Sequence, residues 1–120
     1  MSNEDLKLRT KQFALRVIKL VENLPHEQVC RVLGNQLLRA GTSVGANYRA
    51  ACRSKSIADF IPKMGTVEEE ADESSYWMEL LVDAGKIKAT KTSALMQEAG
   101  ELTAIAVSSI NTARKSGSRR

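Results

Sequence analysis

The sequence predicts an all-α protein folded as an up-down-up-down antiparallel four-helix bundle, and three observations carry that prediction. Four long stretches each repeat apolar residues at helical spacing, with short connections between them. One Trp, two Tyr, two Phe and two Pro in 120 residues are too few for an all-β sandwich. No stretch alternates apolar and polar residues as a half-buried strand would, and no internal repeat competes. A chain of this length makes one domain, here residues 1–113. A basic, flexible tail follows at 114–120, where no apolar side chain anchors the backbone.

The first helix is expected from about Leu6 to Leu24. Leu6, Phe13, Val17, Leu20, Val21 and Leu24 share its apolar face, and Pro25 ends it. Leu8 and Leu15, one heptad apart, form a second patch on the far side. They are either scattered surface leucines or a face that another subunit covers.

The second helix begins near His26–Val29 and carries the stretch from Val29 to Lys55, which has no Pro. At about 100° per residue that stretch sorts into three stripes. Val29, Leu33, Leu37, Ala40, Val44, Tyr48 and Ala51 make an apolar seam. Arg31, Arg39, Arg49 and Arg53 fall within about 80° of one another on the opposite face. Gly34, Gly41, Gly45 and Cys52 line a third edge. Three interior glycines cost about 1 kcal/mol each relative to Ala. Such a cost points to a neighbouring helix packed closely on Gly41-x-x-x-Gly45; the alternative is a ligand site needing bare backbone.

Ser54–Phe60 reads as a turn, with Ser56 or Asp59 available to cap the third helix. Pro62 is tolerated if that helix starts just before it, and otherwise kinks it. Phe60, Met64, Val67, Ala71, Ser74, Ser75, Met78, Leu81 and Val82 share the helix's inner face, and Gly85 terminates it. A short basic loop, Lys86–Lys91, leads to a fourth helix from about Thr92 to Thr112. Its face is Leu95, Ala99, Leu102, Ile105, Ala106, Ile110 and Ala113.

The net charge of +4 is modest, but its distribution is not. Residues 25–55 carry five positive groups and one negative, residues 56–85 carry one against eight, and residues 86–120 carry seven against two. Such asymmetry steers nucleic acid toward a basic face, or pairs acidic and basic faces between subunits. The acidic stripe Glu68, Asp72, Glu79 and Asp83 is accordingly either a solvated face or the partner of a neighbouring subunit's arginines. Of that stripe, Glu68, Asp72 and Glu79 join Leu8 and Leu15 as the candidate oligomer interface.

No catalytic constellation is visible, so the protein is expected not to be an enzyme. The chain has one histidine, His26, and no Glu-x-x-His, which argues against the dimetal bundles built from such pairs. There is no phosphate-cradling Gly-rich loop, no nucleophile elbow and no Cys–His pair with catalytic spacing. Cys30 and Cys52 stand about 33 Å apart along one helix, too far to bridge within a chain. No cofactor and no metal site is expected. The acidic N-terminus and the lack of a long apolar run predict no signal peptide, no membrane span and a cytoplasmic location. The arginines remain: four on one helix face can contact phosphates without reading bases.

Two runs in the chain, Asn35-Gln-Leu-Leu-Arg-Ala-Gly-Thr-Ser-Val-Gly-Ala-Asn-Tyr-Arg49 and Glu70-Ala-Asp-Glu-Ser-Ser-Tyr-Trp-Met-Glu-Leu-Leu81, carry a resemblance. The sequence resembles the four-helix bundle proteins of the 23S rRNA intervening-sequence family, which includes accessory variability proteins of diversity-generating retroelements. The likeness extends from about Leu6 to Ile110. Its more specific part is Gln-x-x-Arg-x-x-x-Ser-x-x-x-Asn at Gln36, Arg39, Ser43 and Asn47. Many members have Pro where this chain has Gly45. The resemblance implies a bundle that assembles as a homopentameric barrel, often with a basic surface, and no catalytic residues. In the retroelement branch it implies partners: nucleic acid, RNA or DNA, and a reverse transcriptase or other protein. Arg39 matches a basic position of the motif, whereas Arg31, Arg49 and Arg53 rest on periodicity alone. The sequence therefore predicts a non-enzymatic oligomeric accessory protein that binds nucleic acid through an arginine-lined helix face. The alternative is a structural or adaptor oligomer whose main partner is another protein.

Overall fold

A computed structural model describes residues 1–118 and shows the four antiparallel helices: α1 (Asn3–Glu22), α2 (Gln28–Cys52), α3 (Ile57–Asp83) and α4 (Ala89–Ser118). Each connection is short enough that consecutive helices are neighbours, which gives up-down-up-down order. The bundle measures 53 × 22 × 20 Å.

Local chemistry fixes the helix ends. Ser2 caps α1 through a reciprocal box: its hydroxyl accepts from the Asp5 amide at 3.1 Å, and the Asp5 carboxylate accepts from the Ser2 amide at 3.0 Å. The helix thus starts three residues earlier than its apolar face indicates. At α3 the cap is Ser56 rather than Asp59; the Asp59 carboxylate instead accepts from Lys63 at 2.8 Å. Pro62 lies inside α3, five residues past its first residue, so its missing N–H leaves the Ala58 carbonyl without its helical donor. Gly85 ends α3 at φ +72°. The Lys86 amide donates to the Leu81 carbonyl and the Gly85 amide to that of Val82, both at 2.9 Å, which is the Schellman pattern. The fourth helix begins at Ala89 and reaches Ser118, longer at both ends than its apolar periodicity indicates. Of the tail expected to be flexible, residues 119 and 120 lie outside the described residues.

The core runs the length of the bundle. Phe13 and Val17 from α1, Leu37 and Val44 from α2, Met64, Met78 and Leu81 from α3, and Ala99 and Ala106 from α4 are fully buried. Val29 does not join it. That side chain is 45 % exposed, and Cys30 is buried instead. The reason is the glycine edge. α1 packs directly on Gly34, Gly41 and Gly45, so the buried arc of α2 turns toward those glycines and Val29 is carried outward. A Cβ at Gly41 would lie 2.8 Å from both γ-methyls of Val17, and one at Gly45 would lie 3.1 Å from the Thr10 hydroxyl oxygen. Thr10 is itself buried, and its hydroxyl donates to the Leu6 carbonyl at 2.9 Å. Close helix approach therefore accounts for the glycines without a ligand.

The four seams are unequal. α2 packs broadly on α1 and α3, and α3 on α4, whereas α1 and α4 meet over a short stretch. Arg9 clamps that seam with two 2.7 Å bonds to the Glu98 carboxylate and one of 3.0 Å to Glu101. The bidentate bond holds the Glu98 carboxyl below its usual range, helped by the nearby charge of Arg16. No helix among the described residues is long and apolar enough to cross a membrane.

Candidate nucleic-acid interface

Arg31, Arg39 and Arg49 lie on α2 and Arg53 is the residue that caps its C-terminus; all four are exposed, but they do not share one environment. Arg31, Arg49 and Arg53 make no ion pair with any described residue. By helical angle they lie within about 40° of one another, and Arg31 and Arg53 are about 33 Å apart along the axis. Their charge is available to a partner.

Arg39 is engaged. Its guanidinium bonds to Glu70 of α3 at 3.2 Å and also to Glu73, and its Nε donates to the Gln36 side-chain oxygen at 3.3 Å. Glu73 accepts in addition from the Trp77 indole N–H at 3.0 Å. The rest of the motif runs along the same face of α2. The Ser43 hydroxyl donates to the Arg39 carbonyl at 2.6 Å, and the Asn47 amide donates to the Ser43 carbonyl at 2.9 Å. Gln36, Arg39, Ser43 and Asn47 thus form one polar track. Its arginine joins Glu70, Glu73 and Trp77, which belong to the second of the two family-like runs. The two runs meet in space as a clamp between α2 and α3. The Glu70 side chain is only 16 % exposed, so the clamp is partly sheltered from water.

The residues marked for an oligomer interface stand apart from this clamp. Leu8 and Leu15 are each 56 % exposed on the outside of α1. Asp72 and Glu79 are exposed and Glu68 half-buried on α3, and none forms an ion pair with a described residue. Within one chain they do not meet the unpaired arginines. No described His, Cys, Asp and Glu side chains gather in threes able to hold a metal ion. Cys30 is buried, Cys52 half-buried, and both are free thiols.

A second set of cations was not visible as a set in the sequence. Arg16 and Lys19 on α1 face Lys88 and Lys91, which precede and begin α4, across the α1–α4 seam. Lys86 lies beside them and donates to Glu27 at 2.8 Å, a bond that raises its pKa. Periodicity within a helix reports the angle of a residue but not the helix opposite it. The one available signal was the basic run Lys86–Lys91.

Comparison with known proteins agrees with this architecture. Residues 4–108 match the sequence model of the 23S rRNA-intervening sequence protein family. A crystal structure of a protein of unknown function from the S23 ribosomal protein family of Bacteroides thetaiotaomicron superposes with a TM-score of 0.81. It is 36 % identical, and the match covers 87 % of this chain and 96 % of that one. No curated protein matches the chain. At that identity, and with the family's sequence pattern extending over nearly all of the bundle, the chain belongs to the 23S rRNA-intervening sequence protein family.

Proposed function

We propose that the protein is a non-catalytic accessory protein that works as a homo-oligomer and binds nucleic acid, RNA or DNA, through its basic helix surface. The observation that carries this reading is the trio of Arg31 and Arg49 on α2 and Arg53 at its C-cap, exposed and without an ion pair to any carboxylate among the described residues. Guanidinium groups left unpaired along a rigid rod attract a phosphate backbone irrespective of base sequence. Arg39 contributes less to that surface, because Glu70 and Glu73 hold it. A homopentamer, as the family resemblance implies, would multiply the number of such faces.

The test is affinity for a structured RNA and for duplex DNA across a salt series. If three arginines per subunit each neutralise one duplex phosphate, log K falls with log salt at a slope of about −2.7 per subunit engaged. Binding should then weaken about 40-fold between 50 and 200 mM salt. Binding absent at low salt, or indifferent to salt, refutes the reading.

Exposed Leu8 and Leu15, together with the unpaired acids Asp72 and Glu79, favour one alternative: a structural or adaptor oligomer with a protein partner. Light scattering that shows a stable monomer counts against it.

A further inference from the structure

Where α1 and α4 part, below the Arg9–Glu98 clamp, the seam opens into a groove of about 940 Å³. Its walls come from the last turns of α1, the α3–α4 connection and the first turns of α4. Among the described residues, five cationic side chains line it and no carboxylate does. Glu27 holds Lys86 from outside the groove, which leaves Arg16, Lys19, Lys88 and Lys91 without an ion pair to any described residue. Between these rims the floor is aliphatic: Leu20, Ile87 and Leu95, which pack on the core. Arg16 also feels the Glu98 carboxylate, so the excess positive charge is carried mainly by Lys19, Lys88 and Lys91, and an anion with an apolar part complements both these solvated cations and the greasy floor.

We infer that this groove seats a single-stranded segment of nucleic acid, with phosphates on the Arg16/Lys19 and Lys88/Lys91 rims and unpaired bases against the aliphatic floor. The inference rests on the nucleic-acid reading above but assigns a different place and a different form of the ligand. Phosphates are the polyanion that matches cations on both rims. Bases freed from pairing have apolar faces to lay on Leu20, Ile87 and Leu95, whereas in a duplex those faces are stacked away. A duplex can reach the rims but gains nothing from the floor. The volume lies within the range of ligand clefts.

The experiment compares binding of a short oligodeoxythymidylate with that of a blunt duplex of equal length, over 50–200 mM salt. The proteins are the wild type, Lys88→Gln/Lys91→Gln, Arg16→Gln/Lys19→Gln, and a charge-matched control, Lys11→Gln/Lys55→Gln. All the changed side chains are exposed, and circular dichroism verifies the fold. Four phosphate contacts to a single strand give the wild type a log–log slope of about −2.8, a weakening of about 50-fold over the series. Each groove pair should lower the slope by about 1.4, and the control should leave it unchanged. Ile87→Ser should weaken single-strand binding at every salt concentration while leaving the slope and duplex binding in place.

Groove variants with the wild-type slope for the single strand would overturn the assignment while leaving the proposed function intact. A wild type that binds neither probe would remove both. Groove variants that dissociate the assembly, in a protein with no preference for the single strand, would show the cleft filled by a second copy of this chain, and the inference would fall.

Discussion

Gly41→Ala is the sharpest test of how α1 and α2 fit. In isolation the change favours the helix by about 1 kcal/mol, because glycine is a poor interior helix residue. In this structure the new methyl would sit 2.8 Å from Val17 Cγ1, 2.8 Å from Cγ2 and 3.1 Å from Cβ. Carbon atoms pack comfortably at about 3.5–4.0 Å. Rotating Val17 gives no escape, because both γ-methyls and the branch point are close and the side chain is fully buried. The helices must therefore separate by the better part of an ångström, which places the cost in the upper part of the overpacking range, about 2–3 kcal/mol. The helix gain offsets only part of that, so a net destabilisation of about 1–2 kcal/mol is expected, or roughly 4–8 °C in Tm for a chain of this size. Urea denaturation followed at the helical circular dichroism band gives the number. Val17→Ala in the same background removes both 2.8 Å contacts and leaves only the 3.1 Å approach of Cβ, so the double-mutant cycle should show a favourable coupling of about 1 kcal/mol. A Gly41→Ala protein as stable as the wild type, or a cycle that is additive, would refute close packing as the reason for the glycine.

Gly100→Ala makes the opposite case: outside its chain neighbours and the backbone of its own helix, no described residue comes within 4 Å of its would-be Cβ, so thermal denaturation should show a gain of about 0.5–1 kcal/mol. Glu98→Gln should cost about 1–2 kcal/mol at pH 7 by weakening the bidentate bond to Arg9. Because the folded Glu98 pKa is depressed, that wild-type advantage is complete above the unfolded value of about 4.3 and fades as pH falls through the folded one. Urea midpoints of the two proteins should therefore converge in acid, and a constant difference would contradict the pairing. Arg39→Ala should cost about 1–2 kcal/mol and shift the Trp77 emission, since it leaves Glu70 and Glu73 without their cation. Arg49→Ala should stay within about 0.5 kcal/mol of wild type.

Much of the fold was legible because each helix carries its own instructions. Phe13 and Val17, Met64 and Met78, or Leu95 and Ala99 fall on core faces that periodicity alone identifies. Helix ends were less legible. The Ser2 box lies outside any apolar pattern, and α4 continues past Thr112 on residues whose side chains are mostly exposed. Val29 was misplaced for a different reason. Its angle fits the seam, but the glycine edge draws α1 around α2, and burial follows the neighbour rather than the centre of the apolar residues. The arginine stripe was legible as angles and not as charges, because whether a guanidinium is free depends on the helix beside it. The groove was the least legible, since its cations come from α1 and α4 and only packing brings them together.

Arg39 shows what this means for reading function from a motif. It is the arginine that matches the family pattern, and it is also the one whose charge is already taken. Within bonding distance it has two carboxylates, so the three side chains together carry a net charge of −1 rather than the +1 of a lone arginine. A phosphate approaching it would first have to displace Glu70, whose partly sheltered carboxylate would then be left without a partner, and that loss is of the same size as one good phosphate contact. The Arg39 track is better suited to hold α2 against α3 and fix their register, with the Trp77 indole as a third point of attachment. A pattern that places an arginine and two glutamates on facing helices is what a clamp requires. Free positive charge must then come from residues outside the motif: Arg31, Arg49 and Arg53 on one side of the bundle, and the four groove cations on another. On this account members of one family could keep the clamp and the fold while differing widely in how basic they are.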